Sequence, residues 1–215
     1  LMLFLESKLG TIDLIIKVRN LGNNWYDLAM IPFPDKKYNI IYADPPWQFN
    51  SRIHQENRGF THSLEDHYDT MKGKDIKDLP VQDIADDDCI LFMWVVDSHL
   101  KEGIEVIESW GFTYRTIGFT WVKEYPNTFP PQICFNFSPY LLKSTEICLI
   151  GMKGKLKNIK DRDDVKGLCF EARTKHSEKP HEIRRRIETM CKDLPKIELF
   201  ARKSFDGWDA WGNEV

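Results

Sequence analysis

Short apolar runs that alternate with helical patterns are the feature that most limits how this chain can fold. Several runs have the length and composition of β-strands, at residues 39–43, 89–96, 113–122, 146–152 and 196–201. Between them, residues 98–110 and 178–191 carry apolar side chains at helical spacing. Strands that alternate with helices predict an α/β fold in three layers, with helices on both faces of a mostly parallel sheet.

Length, composition and charge limit the kinds of protein that this chain can be. With 215 residues and 42% hydrophobic residues, the chain suits one domain with a continuous core. The formal net charge is −3, whereas domains that hold nucleic acid through bulk charge are usually basic. Contact with phosphates is therefore expected to come from a local patch or from a partner. No apolar run approaches the roughly 18 residues of a membrane-spanning helix, so no membrane association is predicted.

The cysteines and histidines do not have the spacing of a metal site. The five cysteines lack a Cys-x-x-Cys pair and the six histidines lack a His-x-x-x-His pair. This pattern predicts a reduced cytosolic or nuclear protein without a zinc site, and metal catalysis is not expected.

The tetrapeptide Asp44-Pro45-Pro46-Trp47 directly follows the first apolar run. In an α/β sheet, ligands bind at the carboxyl ends of strands, where this segment is predicted to lie. The prolines stiffen the backbone, and their carbonyl oxygens are expected to be free acceptors. An aspartate, a free carbonyl and an indole suit a planar group that carries an NH₂, such as adenine. An ordinary turn at the end of a strand is the alternative interpretation.

Two segments nearer the C-terminus add candidate ligand contacts. Lys179 lies where a helix is predicted to begin, although a cation at a helix N-terminus opposes the helix dipole. We therefore expect Lys179 to have an anionic partner, for example a carboxylate of a ligand; an ordinary helix start capped by Ser177 is the alternative. The last predicted strand ends near Arg202, which can approach a nucleoside. The tryptophans that follow can equally dock the tail.

In their order along the chain, these segments resemble the MT-A70-like family of adenine-N(6) methyltransferases. The resemblance runs from about Trp25 to Val215 and rests on Asp44-Pro45-Pro46-Trp47, Leu91-Phe92-Met93-Trp94-Val95, Glu146-Ile147-Cys148-Leu149-Ile150-Gly151, His176-Ser177-Glu178-Lys179-Pro180, Ile197-Glu198-Leu199-Phe200-Ala201-Arg202 and Trp211-Gly212-Asn213-Glu214. It implies a methyltransferase domain at residues 25–215 after an N-terminal extension at residues 1–24. The implied fold is Rossmann-like, in a permuted order with the catalytic motif before the cofactor-binding strand.

The resemblance implies S-adenosylmethionine as the methyl donor. Its contacts, carried over by position, would be Asp27, Leu28, Asp44, Lys179, Phe200, Arg202, Asn213 and Glu214. Asp44 and the Pro45 carbonyl would accept the N–H bonds of the target amine, and Trp47 would stack on the base. Tyr68 would lie beside that base. At Ser204 this chain departs from the mRNA enzymes of the family, which carry a histidine there.

DNA is the favoured substrate, and RNA is the alternative. The chain has no zinc-finger module or basic tail typical of an RNA writer, and its ending looks more like that of prokaryotic and phage members. A DNA enzyme of this kind would work in the cytoplasm of a prokaryote, or in the nucleus of a eukaryote. Arg184 and Arg185 are candidate phosphate contacts, although a run of charges is more often a solvated face. A non-catalytic partner subunit is a further alternative, against which the intact Asp44 motif argues.

Residues 125–144 are predicted to form a loop rich in Phe, Pro and Tyr. This composition suits the core of a protein interface, so a homodimer or a heterodimer with a related subunit is expected. A loop that packs on its own sheet is the alternative.

Overall fold

The computed structural model of the protein describes residues 31–48, 70–138, 140–174 and 178–215. These residues form, in chain order, β1 (Tyr38–Ala43), α1 (Gly73–Lys77), β2 (Ala85–Val95), α2 (Leu100–Ser109), β3 (Thr113–Glu124), β4 (Thr145–Lys153), β5 (Leu168–Ala172), α3 (His181–Met190), β6 (Lys196–Leu199) and β7 (Asp209–Trp211). Short 3-10 helices lie at Val81–Asp83, Asp97–His99 and Leu156–Asn158.

The strands form one seven-stranded sheet in the order β5–β3–β4–β2–β1–β6–β7. β4 pairs antiparallel with β2 and β3, and the other neighbours pair in parallel. The register aligns Ile41 of β1 with Leu91 of β2 and Ile197 of β6, so the carboxyl ends of these strands reach one edge. The predicted α/β class with a mostly parallel sheet is therefore confirmed.

The two faces of the sheet carry separate cores, because side chains alternate along each strand. Ile41 belongs to the core that contains Val106 of α2. Its neighbour Ile40 belongs to the core that contains Ile183 of α3. Since β1 is apolar towards both cores, it has the sequence pattern of a buried parallel strand. The described residues thus form three layers, with the sheet in the middle.

Three short elements are absent from the sequence prediction. β5 and α1 have five residues each and β7 has three, which is too few for a clear periodic pattern. β5 also exposes Leu168 and Phe170, so it lacks the continuous burial of the central strands. The predicted helix at residues 98–110 begins at Leu100, because the preceding residues form a 3-10 turn.

Residues 125–144 connect β3 to β4, and we call this segment the aromatic loop. Reciprocal backbone hydrogen bonds between Asn136 and Lys143, at 2.6 and 2.9 Å, close its tip. Phe129, Phe137 and Tyr140 are 98%, 91% and 94% exposed. The loop therefore does not pack on its own sheet through these three rings.

All five cysteines of the chain are buried, and none forms a disulfide. Among the described residues, no group of histidine, cysteine and acidic side chains is arranged to hold a metal ion. None of the helices in these residues is long and apolar enough to span a membrane.

Candidate active site

One edge of the sheet collects the segments that the sequence motifs single out. Asp44 follows β1, and its backbone N–H lies 3.5 Å from the carbonyl oxygen of Leu199 at the end of β6. Phe200 and Arg202 follow β6, and Asn213 follows β7. Because β1, β6 and β7 are parallel, these residues lie at the carboxyl edge, where α/β sheets bind ligands.

Asp44 is one end of a network of ion pairs at this edge. The Nζ of Lys179 lies 2.8 Å from Oδ2 of Asp44 and 3.4 Å from Oε2 of Glu146. The other carboxylate oxygen of Glu146 pairs with the ammonium of Lys123. The Lys179 side chain is 13% exposed and that of Asp44 is 28% exposed, so the aspartate is the more open member of the pair. The anionic partner expected for Lys179 is thus present, and it consists of two carboxylates of the protein.

Burial and charge have opposite effects on the protonation of these groups. Burial raises the pKa of Asp44, and the positive charges of Lys179 and Arg202 only partly oppose that shift. Burial would also raise the pKa of Glu146, but Lys179 and Lys123 outweigh it and the pKa is lowered. For Lys179, burial acts to lower the pKa, and the two carboxylates raise it instead. Near neutral pH, Lys179 is therefore an ammonium and Glu146 a carboxylate.

Both prolines of the tetrapeptide are buried, and both of their carbonyl oxygens already accept a hydrogen bond. The backbone N–H of Trp47 donates to Pro45 at 2.9 Å, and that of Met71 donates to Pro46 at 2.8 Å. The expectation that these carbonyls are free acceptors is therefore wrong. Because a carbonyl oxygen has two lone pairs, the Pro45 carbonyl retains capacity for one further donor.

Trp47 anchors the tetrapeptide to the sheet. Its ring is 4% exposed, and its indole N–H donates to the carbonyl oxygen of Trp94 at 3.0 Å. The indole N–H of Trp94 donates in turn to the hydroxyl of Tyr42 at 2.6 Å. These bonds tie the tetrapeptide to the ends of β1 and β2. They leave Trp47 without the open ring face that the predicted stacking on a base requires.

The segments after β6 and β7 approach each other closely. The N–H of Ala201 donates to the carbonyl oxygen of Trp211 at 3.0 Å. A Cβ added to Gly212 would lie 2.2 Å from the carbonyl oxygen of Ala201, so only glycine fits. Phe200 is buried with a φ of 62°, a backbone conformation that non-glycine residues adopt mostly at constrained functional positions.

The polar groups of these two segments fit S-adenosylmethionine. The Oδ1 of Asn213 is buried and has no hydrogen-bond partner among the described residues. Such an acceptor usually has a partner, so it suits a ligand hydroxyl or ammonium group. Arg202 Nε lies 3.6 Å from Glu214 Oε1, so the two segments that hold this acceptor also supply a cation and an anion. Lys179, Arg202 and Glu214 are charged groups of both signs that suit the amino-acid end of the cofactor. Asn213 is an acceptor that suits its ribose.

The two arginines proposed as phosphate contacts lie in different surroundings. The Arg184 side chain is 12% exposed and is paired with Glu198. Its guanidinium carbon lies 3.5 Å from the ring centroid of Phe205. Arg185 is 75% exposed and is paired with Glu182. Arg184 is thus committed to a buried ion pair and does not suit a phosphate contact, whereas Arg185 keeps access to solvent.

Several residues nominated from the sequence lie outside the described residues. They are Asp27, Leu28 and Tyr68, with His176 and Ser177 of the Lys179 segment and the N-terminal extension at residues 1–24. Their expected roles stay predictions.

Lys123 and Glu146 are members of the network that the sequence prediction misses as site residues. Lys123 lies near the end of β3, and Glu146 lies near the start of β4. The antiparallel course of β4 brings both residues to the edge that holds Asp44. The sequence feature that could have indicated Glu146 is a charged residue at the start of an apolar strand, because Glu146 directly precedes the apolar residues 147–150.

Known proteins are similar to this chain over most of its length. The family model MT-A70 matches residues 38–214. A protein described as Type II methyltransferase M.MunI, from Mycoplasma sp, is 39% identical, and the alignment covers 92% of this chain and 86% of that protein. The N(6)-adenosine-methyltransferase catalytic subunit METTL3 of Homo sapiens is 30% identical, over 83% of this chain and 28% of its own length. The N6-adenosine-methyltransferase non-catalytic subunit MTB of Arabidopsis thaliana is 32% identical, over 58% of this chain and 15% of its own length.

Proposed function

The chain belongs to the MT-A70 family of methyltransferases, and from this premise we propose that it methylates the exocyclic N(6) amine of adenine in DNA. The observation that carries the proposal is the Asp44 carboxylate, partly exposed at the carboxyl edge of the sheet and 2.8 Å from Lys179. A protein described as a Type II methyltransferase is 39% identical to this chain over 86% of its own length, and this similarity supports DNA as the substrate.

The chemistry needs acceptors for the target amine, because its lone pair is delocalised into the adenine ring and is weakly nucleophilic. In the proposed reaction, Asp44 accepts one N–H bond and the second lone pair of the Pro45 carbonyl accepts the other. Both acceptors stabilise the positive charge that develops on the nitrogen, an effect worth about 3 kcal/mol for a well-placed group. The nitrogen then loses a proton, and Asp44, whose pKa burial raises, is the group placed to take it.

When S-adenosylmethionine is bound, it supplies an electrophilic methyl carbon on its sulfonium. Lys179 would hold the carboxylate of this cofactor, and Asn213 would accept a hydrogen bond from it. Arg202 and Glu214 would contact its ribose and amino-acid ends. Holding both substrates in line in this way supplies much of the rate of a direct transfer.

A duplex substrate adds one requirement, since its adenine lies inside the base stack. Extrusion of the base costs a few kcal/mol, which protein–DNA contacts must offset. Among the described residues, Arg185 is a candidate for such a contact, as its side chain is 75% exposed. With a net charge of −3, however, the chain has no excess of positive charge for binding DNA non-specifically.

RNA is the second candidate substrate, because METTL3 is 30% identical to this chain. This chain spans 28% of the length of that protein. Methylation of matched DNA and RNA strands distinguishes the two substrates.

The test is methylation of matched DNA duplexes, DNA single strands and RNA strands with a labelled methyl donor, followed by mass spectrometry of the nucleosides. We expect N(6)-methyldeoxyadenosine from DNA. N(6)-methyladenosine from RNA alone would move the assignment to RNA, and a methylated cytosine would refute the proposed chemistry. No methylated nucleoside, with cofactor binding intact by calorimetry, would favour a non-catalytic subunit.

We also propose that the aromatic loop binds a subunit of the same fold, in the simplest case a second copy of this chain. Three of its rings are more than 90% exposed. A buried aromatic side chain contributes about 150–250 Å², so these rings alone supply about 600 Å². Stable interfaces bury about 800 Å² on each partner. The similarity to a non-catalytic subunit supports a related protein as the kind of partner.

A further inference from the structure

Glu146 lies between Lys123 and Lys179 and contacts both, at the edge of the sheet that holds Asp44. One oxygen of its carboxylate lies 3.4 Å from Nζ of Lys179, and the other pairs with Lys123. Its side chain is 18% exposed, so water screens these pairs only weakly. Neither Glu146 nor Lys123 is needed to explain the methyl transfer described above. Their position therefore calls for a separate account.

The network is balanced in charge, with two carboxylates and two ammonium groups. If Asp44 turns to a ligand amine, Glu146 remains as an anion beside Lys179. A buried cation without an anionic partner is strongly disfavoured, so this second carboxylate lets Lys179 stay charged and in place. Lys123 in turn keeps Glu146 charged, because its ammonium group balances the Glu146 carboxylate when Lys179 turns to a ligand.

We propose that Glu146, held by Lys123, is a positioning residue that shares the Lys179 ammonium with Asp44 and so leaves the Asp44 carboxylate available to the adenine amine. This inference rests on the proposed function. Without the negative charge of Glu146, Lys179 pairs more closely with Asp44 and competes with the amine for the same oxygen atoms. Glu146 thus acts on the reaction through Lys179 and does not itself touch the substrate.

The protonation of Asp44 gives a readout specific to this role. The groups that face its carboxylate are Lys179, Arg202, Glu146, Glu198 and the Cys148 thiol. The negative charge of Glu146 adds to burial in raising the pKa of Asp44. Removal of that charge lowers the Asp44 pKa, so the acidic limb of the pH–activity profile moves to lower pH. A purely structural loss of activity would not move that limb.

The test compares Glu146→Gln with Glu146→Asp, which keeps the charge, and with Glu105→Gln as a matched control. Glu105 also contacts two lysines, Lys77 and Lys101, but it lies on α2 and is not among the charges that shift the pKa of Asp44. We expect Glu146→Gln to lower kcat about tenfold, as loss of an outer partner does in metal sites. Its affinity for S-adenosylmethionine should change little by calorimetry, and its acidic limb should shift to lower pH. Glu146→Asp should regain part of the activity, and Glu105→Gln should match the wild type.

Unchanged kcat in Glu146→Gln, or reduced kcat with an unmoved acidic limb, would overturn the inference. Thermal unfolding of each variant separates misfolding from the effect on the site, because the pH profile of residual activity can still be read in a less stable protein. If the wild type methylates no nucleic acid, the proposed function fails instead, which is a different outcome from an active wild type with a neutral Glu146→Gln.

Discussion

Asp44 combines two properties that usually exclude each other, an ion pair with a lysine and a raised pKa. The pairing lowers the pKa, but burial at the end of β1 outweighs it. Because its pKa is raised, such a carboxylate is a better proton acceptor than an exposed aspartate. Perturbed groups of this kind are concentrated at functional sites.

Replacement of Asp44 by asparagine should abolish methyl transfer while the protein remains folded. The amide has nearly the same shape but lacks the charge that stabilises the developing cation, so we expect activity to fall at least about 100-fold. Nucleoside mass spectrometry and thermal unfolding measure the two parts of this expectation. In the wild type, activity should decline as the pH falls through an Asp44 pKa above the ordinary value of about 4. Retained methylation in Asp44→Asn would contradict the assigned role.

Replacement of Lys179 by alanine should weaken binding of S-adenosylmethionine severalfold and also destabilise the fold. The substitution leaves Asp44 and Glu146 without their shared cation, and breaking such a buried pair costs about 3–5 kcal/mol. Calorimetry with the cofactor and thermal unfolding check the two effects. Unchanged cofactor affinity would remove Lys179 from the binding site.

At the scale of elements, the backbone contact between the segments after β6 and β7 forms one wall of the proposed cofactor site. Substitution of Gly212 by alanine introduces a Cβ that would lie 2.2 Å from the carbonyl oxygen of Ala201. Since that neighbour is backbone and cannot move alone, we expect a loss of about 2 kcal/mol or more in the free energy of unfolding. Cofactor affinity should fall with it, and a variant with wild-type affinity and stability would show that this contact is not required. Gly207→Ala controls for backbone strain alone, because φ is positive there but an added Cβ would meet no atom closer than 3.8 Å; we expect it to lower stability without lowering cofactor affinity.

The central strands could be predicted from the sequence because they are apolar over several consecutive residues, as in β1 and β2. The edge strands β5 and β7 could not, since their short runs gain strand structure from one neighbour only. In the site, Asp44 and Lys179 could be nominated from local chemistry. The contact between Asp44 and Lys179 could not be predicted, because the two residues are 135 positions apart in the chain. The contact of Glu146 with Lys179 could not be predicted either, because it depends on the antiparallel direction of β4.

At the scale of the whole molecule, the aromatic loop exposes three aromatic rings, those of Phe129, Phe137 and Tyr140. Monomeric proteins seldom expose several aromatic rings on one segment, and such patches commonly mark interfaces. If the loop joins two copies of the chain, the paired substitutions Phe137→Ser and Tyr140→Ser should convert a dimer into a monomer. Light scattering coupled to size-exclusion chromatography measures this directly.

Phe170→Ser provides a matched control for that experiment. Phe170 is 56% exposed on β5, which lies outside the aromatic loop. We expect this variant to keep the assembly state of the wild type. A wild type that is monomeric at all concentrations would refute self-association, and unchanged dimers in the loop variant would place the contact elsewhere.

The ion pair between Lys123 and Glu146 also closes the base of the aromatic loop, where the N–H of Lys123 donates to the carbonyl oxygen of Ser144 at 2.7 Å. We therefore expect a partner that orders the loop to order also the Glu146 carboxylate, which contacts Lys179. Such an effect is reciprocal, because two binding events that share one element must influence each other equally in free energy. If the aromatic loop binds a second subunit, we therefore expect a ligand that orders Lys179 to strengthen the association of the subunits, and assembly to strengthen binding of that ligand.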